Sequence, residues 1–181
     1  MMSGAKWKFL RRRIVFLSKF LSVYQDRIKL PNGNVINDYT VVRKPDSVII
    51  VATSKNRELV TIREYRYAAN NFLTALPSGY KEKGESAINA AKRELLEETG
   101  YGGGKCEEIG FLYEDSAKSL NKIHVVTAKE VYPVRKQNLE AGETISQVKL
   151  LTLEELRKQI RSKQWKSATS LAALAISGHL S

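Results

Sequence analysis

The stretch Gly79–Tyr101, GYKEKGESAINAAKRELLEETGY, decides the reading of this chain. Ser86 is placed to cap a helix over Ala87–Thr99 and Gly100 to end it. At about 100° per residue, Glu94, Glu97 and Glu98 fall within an arc of about 100°, together with Ala87, Ala90 and Ala91. Ile88 and Leu95 project to one side of that face as core contacts, and Arg93 lies to the other, one turn before Glu97. The bland explanation is a solvated surface with an Arg93–Glu97 pair. Carboxylates near a helix C-terminus oppose the macrodipole, however, so a compensating cation is expected. A hard divalent ion such as Mg²⁺ or Mn²⁺ prefers oxygen ligands, and carboxylates at i and i+4 reach it together. The alanines between them are expected to leave room for a bulky anionic substrate.

This acidic face sits in a basic chain. The 181 residues carry a net charge of +11, with 43% hydrophobic positions, 11 Gly and 4 Pro, which suits a single compact domain. Such a charge attracts nucleotides, nucleic acid or an anionic surface without choosing among them. The excess is concentrated in residues 1–44, where ten Lys or Arg face only Asp26 and Asp38. The apolar run in KWKFLRRRIVFLSKFLSVY is interrupted by Lys19 and no small-residue cleavage site follows, which argues against a secretory signal. No window approaches the roughly 20 apolar residues of a membrane-spanning helix, so no membrane partner is expected. Cys106 is the single cysteine, which excludes an intrachain disulfide and makes a reducing cytoplasm the expected location. Neither histidine stands in a motif relation to it, so it reads as a small semi-apolar residue.

Outward from the helix, IVFL, FLSVYQDRIKL and VINDYTVV read as strands, with a turn at Pro31, Asn32 and Gly33. PDSVIIVAT suits a buried strand, followed by a turn at Lys55–Arg57 and the strand ELVTIREYR. Beyond the helix, CEEIGFLYED and KIHVVTAKEVY read as strands, then a charged loop from Pro133 to Glu143 leads to TISQVKLL. Thr152 and Glu155 are spaced as a capping box, and Ser167 is placed to cap a last helix ending at Gly178. The strands suggest a mixed or antiparallel sheet, and no repeat or long linker marks off a further domain.

The central stretch resembles the signature of the Nudix hydrolases: Gly, five residues, Glu, seven residues, then Arg-Glu-apolar-x-Glu-Glu-x-Gly-apolar. Here those positions are Gly79, Glu85, Arg93, Glu94, Leu95, Glu97, Glu98, Gly100 and Tyr101, with Tyr an unusual final occupant. LPNG at Leu30–Gly33, RKPDSVIIVA at Arg43–Ala52, EYR at Glu64–Arg66, LPSG at Leu76–Gly79 and EELRKQI at Glu154–Ile160 resemble, in order, the ADP-ribose and nucleoside-diphosphate-sugar pyrophosphatase branch. Two features depart from that branch. Ala75 stands where Glu is common, and EDSAKSLNK replaces a frequent Pro-Gly turn.

The resemblance implies a Nudix α/β/α sandwich: a mixed β-sheet between helices with a loop-helix-loop box over residues 45–181, preceded by antiparallel strands in residues 1–44. It implies Mg²⁺-dependent (or Mn²⁺-dependent) hydrolysis of the pyrophosphate bond of ADP-ribose or a nucleoside diphosphate sugar, giving a nucleoside monophosphate and a sugar phosphate. Glu94 and Glu98 would be the principal metal ligands, the Ser78 carbonyl another, and Glu97 would bind or bridge metals. Arg93 would orient the carboxylates with Glu85 as its partner. The loop Gln137–Ile145 offers Glu140 as general base and Glu143 as a further ligand, with Glu114 and Asp115 as second choices. Arg63 and Arg66 would contact phosphate or serve a subunit interface, and His124 would be structural. Relatives often dimerise by exchanging N-terminal strands, so a homodimer is implied, with Tyr24, Arg27 and Tyr39 near the substrate base. Removal of pyrophosphate from RNA 5′ ends, and noncatalytic nucleotide or RNA binding on the same fold, are the competing readings.

Overall fold

The computed structural model describes Gly4 and residues 6–180. Met1–Ser3, Ala5 and Ser181, at the outer ends of the two expected segments, lie outside the described residues. The chain divides into two compact units. The first runs up to Pro45 and takes in Tyr113–Lys122; the second comprises Asp46–Leu112 and the chain from Ile123 onward.

The first unit is an antiparallel three-stranded sheet in the order β1(Lys8–Leu17), β2(Ser22–Lys29), β3(Val35–Arg43). Strand β1 starts earlier than the apolar run IVFL suggests, because its charges find cross-strand partners. Arg12 grips Asp26 through Nε at 2.7 Å and Nη2 at 2.6 Å, and its guanidinium lies 4.5 Å from the Tyr24 ring centre. The segment Tyr113–Lys122 joins this unit through backbone bonds between Val42 and the Lys118–Leu120 stretch.

The second unit is built on a mixed sheet in the order β11(Ile145–Leu151), β5(Leu59–Arg66), β4(Ser47–Ser54), β10(Ile123–Pro133), β8(Tyr101–Gly102). Three further strands, β6(Asn71–Ala75), β7(Ser78–Tyr80) and β9(Lys105–Leu112), pair with β5, β4 and β10. The β4–β10 pair is parallel and its neighbours antiparallel. The short β6 and β7 escape sequence reading because neither is long enough to show alternation.

Strand alternation distributes the core between the two sheet faces. Val48, Ile50 and Ala52 of β4 pack with Val126 and Ala128 of β10 against α1(Ala87–Thr99). Ile49 and Val51 of β4 and Val125 of β10 face the other way, against α2(Leu153–Arg161) and α3(Ala168–Ile176). This is the expected α/β/α layering. Helix α1 is capped at Ser86, whose side chain accepts from the Asn89 amide, and closes at Gly100 with φ +75. Helix α2 carries the Thr152–Glu155 capping box, while α3 stops at Ile176, two residues before Gly178. Among the described residues no helix is long and apolar enough to cross a membrane.

Candidate active site

Two carboxylates of α1 are buried at the sheet. Glu94 is 6% exposed and Glu98 1% exposed, so the acidic face is not a solvated surface. The alanines at the same face serve the core rather than a substrate: Ala87, Ala90 and Ala91 pack on β4 and β10, their small side chains letting α1 approach the sheet closely. The expectation that they leave room for substrate is thereby corrected.

The LPSG turn supplies the opposite wall. Strand β7 pairs with β4, and the Ser78 amide donates to Glu98 Oε2 at 2.8 Å. A Cβ at Gly79 would overlap the Glu94 carboxylate, so glycine leaves that acid room in its present position. On the other side of α1, the Arg93 guanidinium is fully engaged. Nε and Nη2 bind the two Glu85 oxygens at 3.2 and 3.0 Å, Nη1 reaches Glu94 Oε1 at 2.7 Å and Glu97 Oε2 at 3.3 Å, and Nη2 also donates to the Tyr80 carbonyl at 2.9 Å. The fork geometry of arginine makes this multiple grip possible. Arg93 thus bonds Glu85, Glu94 and Glu97 together.

Burial dominates the electrostatics. It pushes the Glu98 carboxyl up to about 9; the Ser78 amide opposes that rise, while Glu143, Glu64 and Glu94 add to it. Glu94 is raised to about 7, first by burial, against the pull of Arg93. Glu64 is raised by burial as well, and the Arg66 guanidinium at 2.7 Å counters it. Glu85 is lowered, chiefly by its bonds to Arg93.

Glu64 is a site residue that the sequence reading treats only as part of EYR. Its signal is positional: Val60 of β5 faces α1, so the even positions of that strand lead to Glu64 and Arg66 on the same side. Arg63 points to the other face, its guanidinium 5.6 Å from the Phe72 ring centre, beside a cavity of about 350 Å³ lined by β5, β6, β11 and α2. The structure therefore pairs Arg66 with Glu64 and sets Arg63 on the other face of β5.

The loop after β10 is stitched to the end of α1. Val134 and Arg135 amides donate to the Gly100 carbonyl, the Asn138 amide to the Glu97 carbonyl, and the Gln137 amide side chain to the Glu98 carbonyl. A Cβ at Gly100 would collide with the Arg135 carbonyl oxygen, which explains the second box glycine. The loop then crosses to β5, where the Tyr65 amide donates to the Thr144 carbonyl. Glu143 Oε2 accepts from the Glu140 amide at 2.9 Å, and Glu143 is the loop acid whose charge raises Glu64, Glu94 and Glu98. Glu140 itself is exposed.

Within the first unit, Glu114 pairs with Lys44, and Asp115 Oδ1 accepts from the Ala117 amide. Tyr39 donates to the Ala117 carbonyl at 2.5 Å, Tyr24 stacks under Arg12, and Arg27 is exposed beside Arg11 and Arg13. His124 is bonded to Glu108 at 2.6 Å. Cys106 packs half-buried against the α1-side core, and burial pushes its thiol up.

A family model described as the NUDIX domain matches residues 43–172, most of the chain. The chain belongs to the Nudix family. A second model, the nucleoside diphosphate sugar hydrolase N-terminal domain, matches residues 7–42. Similar proteins include ADP-ribose pyrophosphatase of Bacillus subtilis, 27% identical over 174 residues covering 96% of this chain and 93% of that protein. Methanol dehydrogenase activator of Bacillus methanolicus is 29% identical over 163 residues, covering 87% and 84%. A solved structure of an ADP compounds hydrolase shares the fold with a TM-score of 0.83 at 23% identity, over 99% of this chain and 96% of that one.

Nudix hydrolases generally use divalent metals. Among the described residues no three acid, His or Cys side chains stand assembled around one point. Glu94 is drawn to Arg93, and Glu98 to the Ser78 amide. The donor set nevertheless fits a hard cation. Its members are carboxylate oxygens that raise one another, and Arg93, Arg66 and the Ser78 amide offset that repulsion only in part.

Proposed function

We propose that this Nudix protein hydrolyses the pyrophosphate bond of ADP-ribose or a nucleoside diphosphate sugar, releasing a nucleoside monophosphate and a sugar phosphate, with Mg²⁺ or Mn²⁺. The observation that carries the reading is the buried carboxylate pair Glu94 and Glu98, held between the Arg93 fork and the Ser78 amide. The N-terminal match to a nucleoside diphosphate sugar hydrolase domain and the likeness to an ADP-ribose pyrophosphatase support the substrate class.

Glu94 and Glu98 would hold the cation, with Glu97 and the Ser78 carbonyl completing its shell. When bound, a divalent ion neutralises diphosphate charge and lowers the pKa of an attacking water. The remaining work falls to the chain. Arg93 fixes the Glu94 and Glu97 carboxylates, limiting the reorganisation needed when substrate arrives. The Glu140 amide holds Glu143 Oε2, which leaves Glu143 Oε1 to take the proton as water forms its bond to phosphorus and the bridging P–O bond breaks. We assign the proton to Glu143 rather than to Glu140, the base expected from the loop spacing, because Glu140 is exposed while Glu143 is half-buried, held by the Glu140 amide, and bears its charge on the box acids. Arg66, paired with Glu64, would meet phosphate oxygens from the β5 side.

The reading includes a homodimer. All ten residues of β1 are exposed, with Phe9, Ile14, Phe16 and Leu17 at 57%, 59%, 51% and 66%. An apolar edge strand of that kind calls for cover by a second chain. Light scattering that returns a single-chain mass would remove this part.

The function is tested by incubating the protein with ADP-ribose, GDP-mannose, UDP-glucose, dinucleoside polyphosphates and triphosphorylated RNA, with and without Mg²⁺, and identifying products by mass spectrometry. A nucleoside monophosphate and a sugar phosphate are expected in the presence of metal alone. Pyrophosphate release from RNA with the sugar nucleotides intact would replace the reading with RNA 5′-end processing. Metal-independent binding without turnover would replace it with a binding module.

A further inference from the structure

A groove of about 890 Å³ lies on the sheet face opposite α1, within the second unit, and the reading above assigns it nothing. Val51 and Thr53 of β4 line it, and Val51 belongs to the core on the α2 and α3 side. Its size is that of a small-molecule site.

The rim carries a cationic surplus. Lys55, Arg57, Lys105 and Lys129 surround the groove, and none of them stands in an ion pair among the described residues. Lys105 and Lys129 are directly opposite each other across the β9–β10 ladder. Like charges in that relation destabilise a sheet unless something negative lies between them. Glu107 and Glu130 also line the groove, which leaves a cationic surplus. The helix ends do not change that balance: α2 begins at Leu153 and α3 closes near Ile176, so a positive and a negative dipole end largely offset.

The wall is apolar and unburied. Ile109, Leu153 and Ile176 line the same groove at 37%, 40% and 48% exposure. Branched aliphatic side chains next to a cationic rim match a ligand with a flat ring at one end and phosphate at the other. A bare inorganic anion would leave the apolar wall unused.

We propose that this groove is a second ligand site, separate from the Nudix box, that binds a nucleoside phosphate with its phosphates between Lys105 and Lys129 and its ring against Ile109, Leu153 and Ile176. The site needs no divalent metal, because lysine and arginine supply the countercharge.

ADP is the probe, titrated calorimetrically in EDTA into the wild type, Glu98→Gln and the double variant Lys55→Glu/Lys129→Glu, with inorganic pyrophosphate as the comparison ligand. Saturable ADP binding is expected in the wild type and Glu98→Gln, weakened at least about tenfold in the double variant and for pyrophosphate. All the cations are exposed, so the double variant should keep its circular dichroism and its box-dependent turnover; the milder Lys129→Gln gives a smaller loss in the same direction. Absence of saturable ADP binding to the wild type would overturn the proposal. So would unaltered binding in the double variant, loss in Glu98→Gln, or pyrophosphate binding as tight as ADP. These outcomes are independent of whether the box hydrolyses ADP-ribose.

Discussion

Glu98 and Ser78, twenty positions apart, are joined by a 2.8 Å hydrogen bond from the Ser78 amide to Glu98 Oε2. That bond brings the LPSG turn and the last turn of α1 to one point. It is the one influence among those acting on Glu98 that favours its charged form, and burial with three neighbouring acids outweighs it.

Metal and proton should therefore compete at this site. Glu94 and Glu98, raised from 4.5 to about 7 and about 9, stabilise the metal-free fold fully below 4.5 and lose that contribution as pH rises through their folded values. A divalent cation takes over the proton's role, so the gain in Tm on adding Mg²⁺ should grow from pH about 5 to about 9, reaching on the order of 5 °C. Glu98→Gln should flatten that dependence and abolish turnover while staying folded. An equal Tm gain at all pH values in the wild type would exclude Glu98 as a ligand.

Gly79 and Gly100 should fail differently on conversion to alanine. At Gly79 the obstacle is the far end of the Glu94 side chain, which can rotate away. Gly79→Ala should cost under about 1 kcal/mol of stability yet weaken apparent metal affinity about 10- to 100-fold. At Gly100 the obstacle is the Arg135 backbone oxygen and φ is +75, so Gly100→Ala should destabilise by about 1–3 kcal/mol. Denaturant melts beside metal titrations of activity separate the two.

Arg93 should be irreplaceable by lysine. A single ammonium cannot serve Glu85, Glu94, Glu97 and the Tyr80 carbonyl together, whereas the guanidinium does. Arg93→Lys and Arg93→Ala should both raise the metal concentration for half-maximal activity by about 10- to 100-fold. Recovery of wild-type metal dependence in Arg93→Lys would reduce the role of Arg93 to charge balance.

The box was legible because its chemistry is local: cap, carboxylate spacing and terminal glycine all lie within Ser86–Gly100. Glu64 was not, since its place depends on which face of β5 meets α1, and a strand pattern read alone does not name the neighbour on each face. Gln137 was hidden for the same reason; its bond to the Glu98 carbonyl follows from where the loop lands. The alanines were misread because a helical wheel shows that Glu94 and Ala90 share a face without showing where the sheet ends and the cleft begins. The return of Tyr113–Lys122 to the first unit has no compositional mark.

The loop acids give the sharpest test of the mechanism. Loop position alone favours Glu140 as the base, since it lies on the Gly-containing segment and Glu143 directly precedes β11. The structure shows Glu143 turned back on the loop, with Oε2 fixed by the Glu140 amide and its charge acting on Glu64, Glu94 and Glu98. On the proposed reading a base must be held near the acids that would carry metal, and Glu143 is the loop acid whose charge acts on them. Loss of a positioned base costs about 10²- to 10⁴-fold in rate, so Glu143→Gln should lower kcat by that order, while Glu140→Gln should change it less than about threefold. Glutamine keeps the acceptor for the Glu140 amide, so the loop should hold its conformation and the loss should report proton transfer. Metal titrations at saturating substrate distinguish a base from a ligand: restoration of Glu143→Gln by excess Mg²⁺ would make Glu143 a ligand, and a kcat defect confined to Glu140→Gln would return the proton to Glu140.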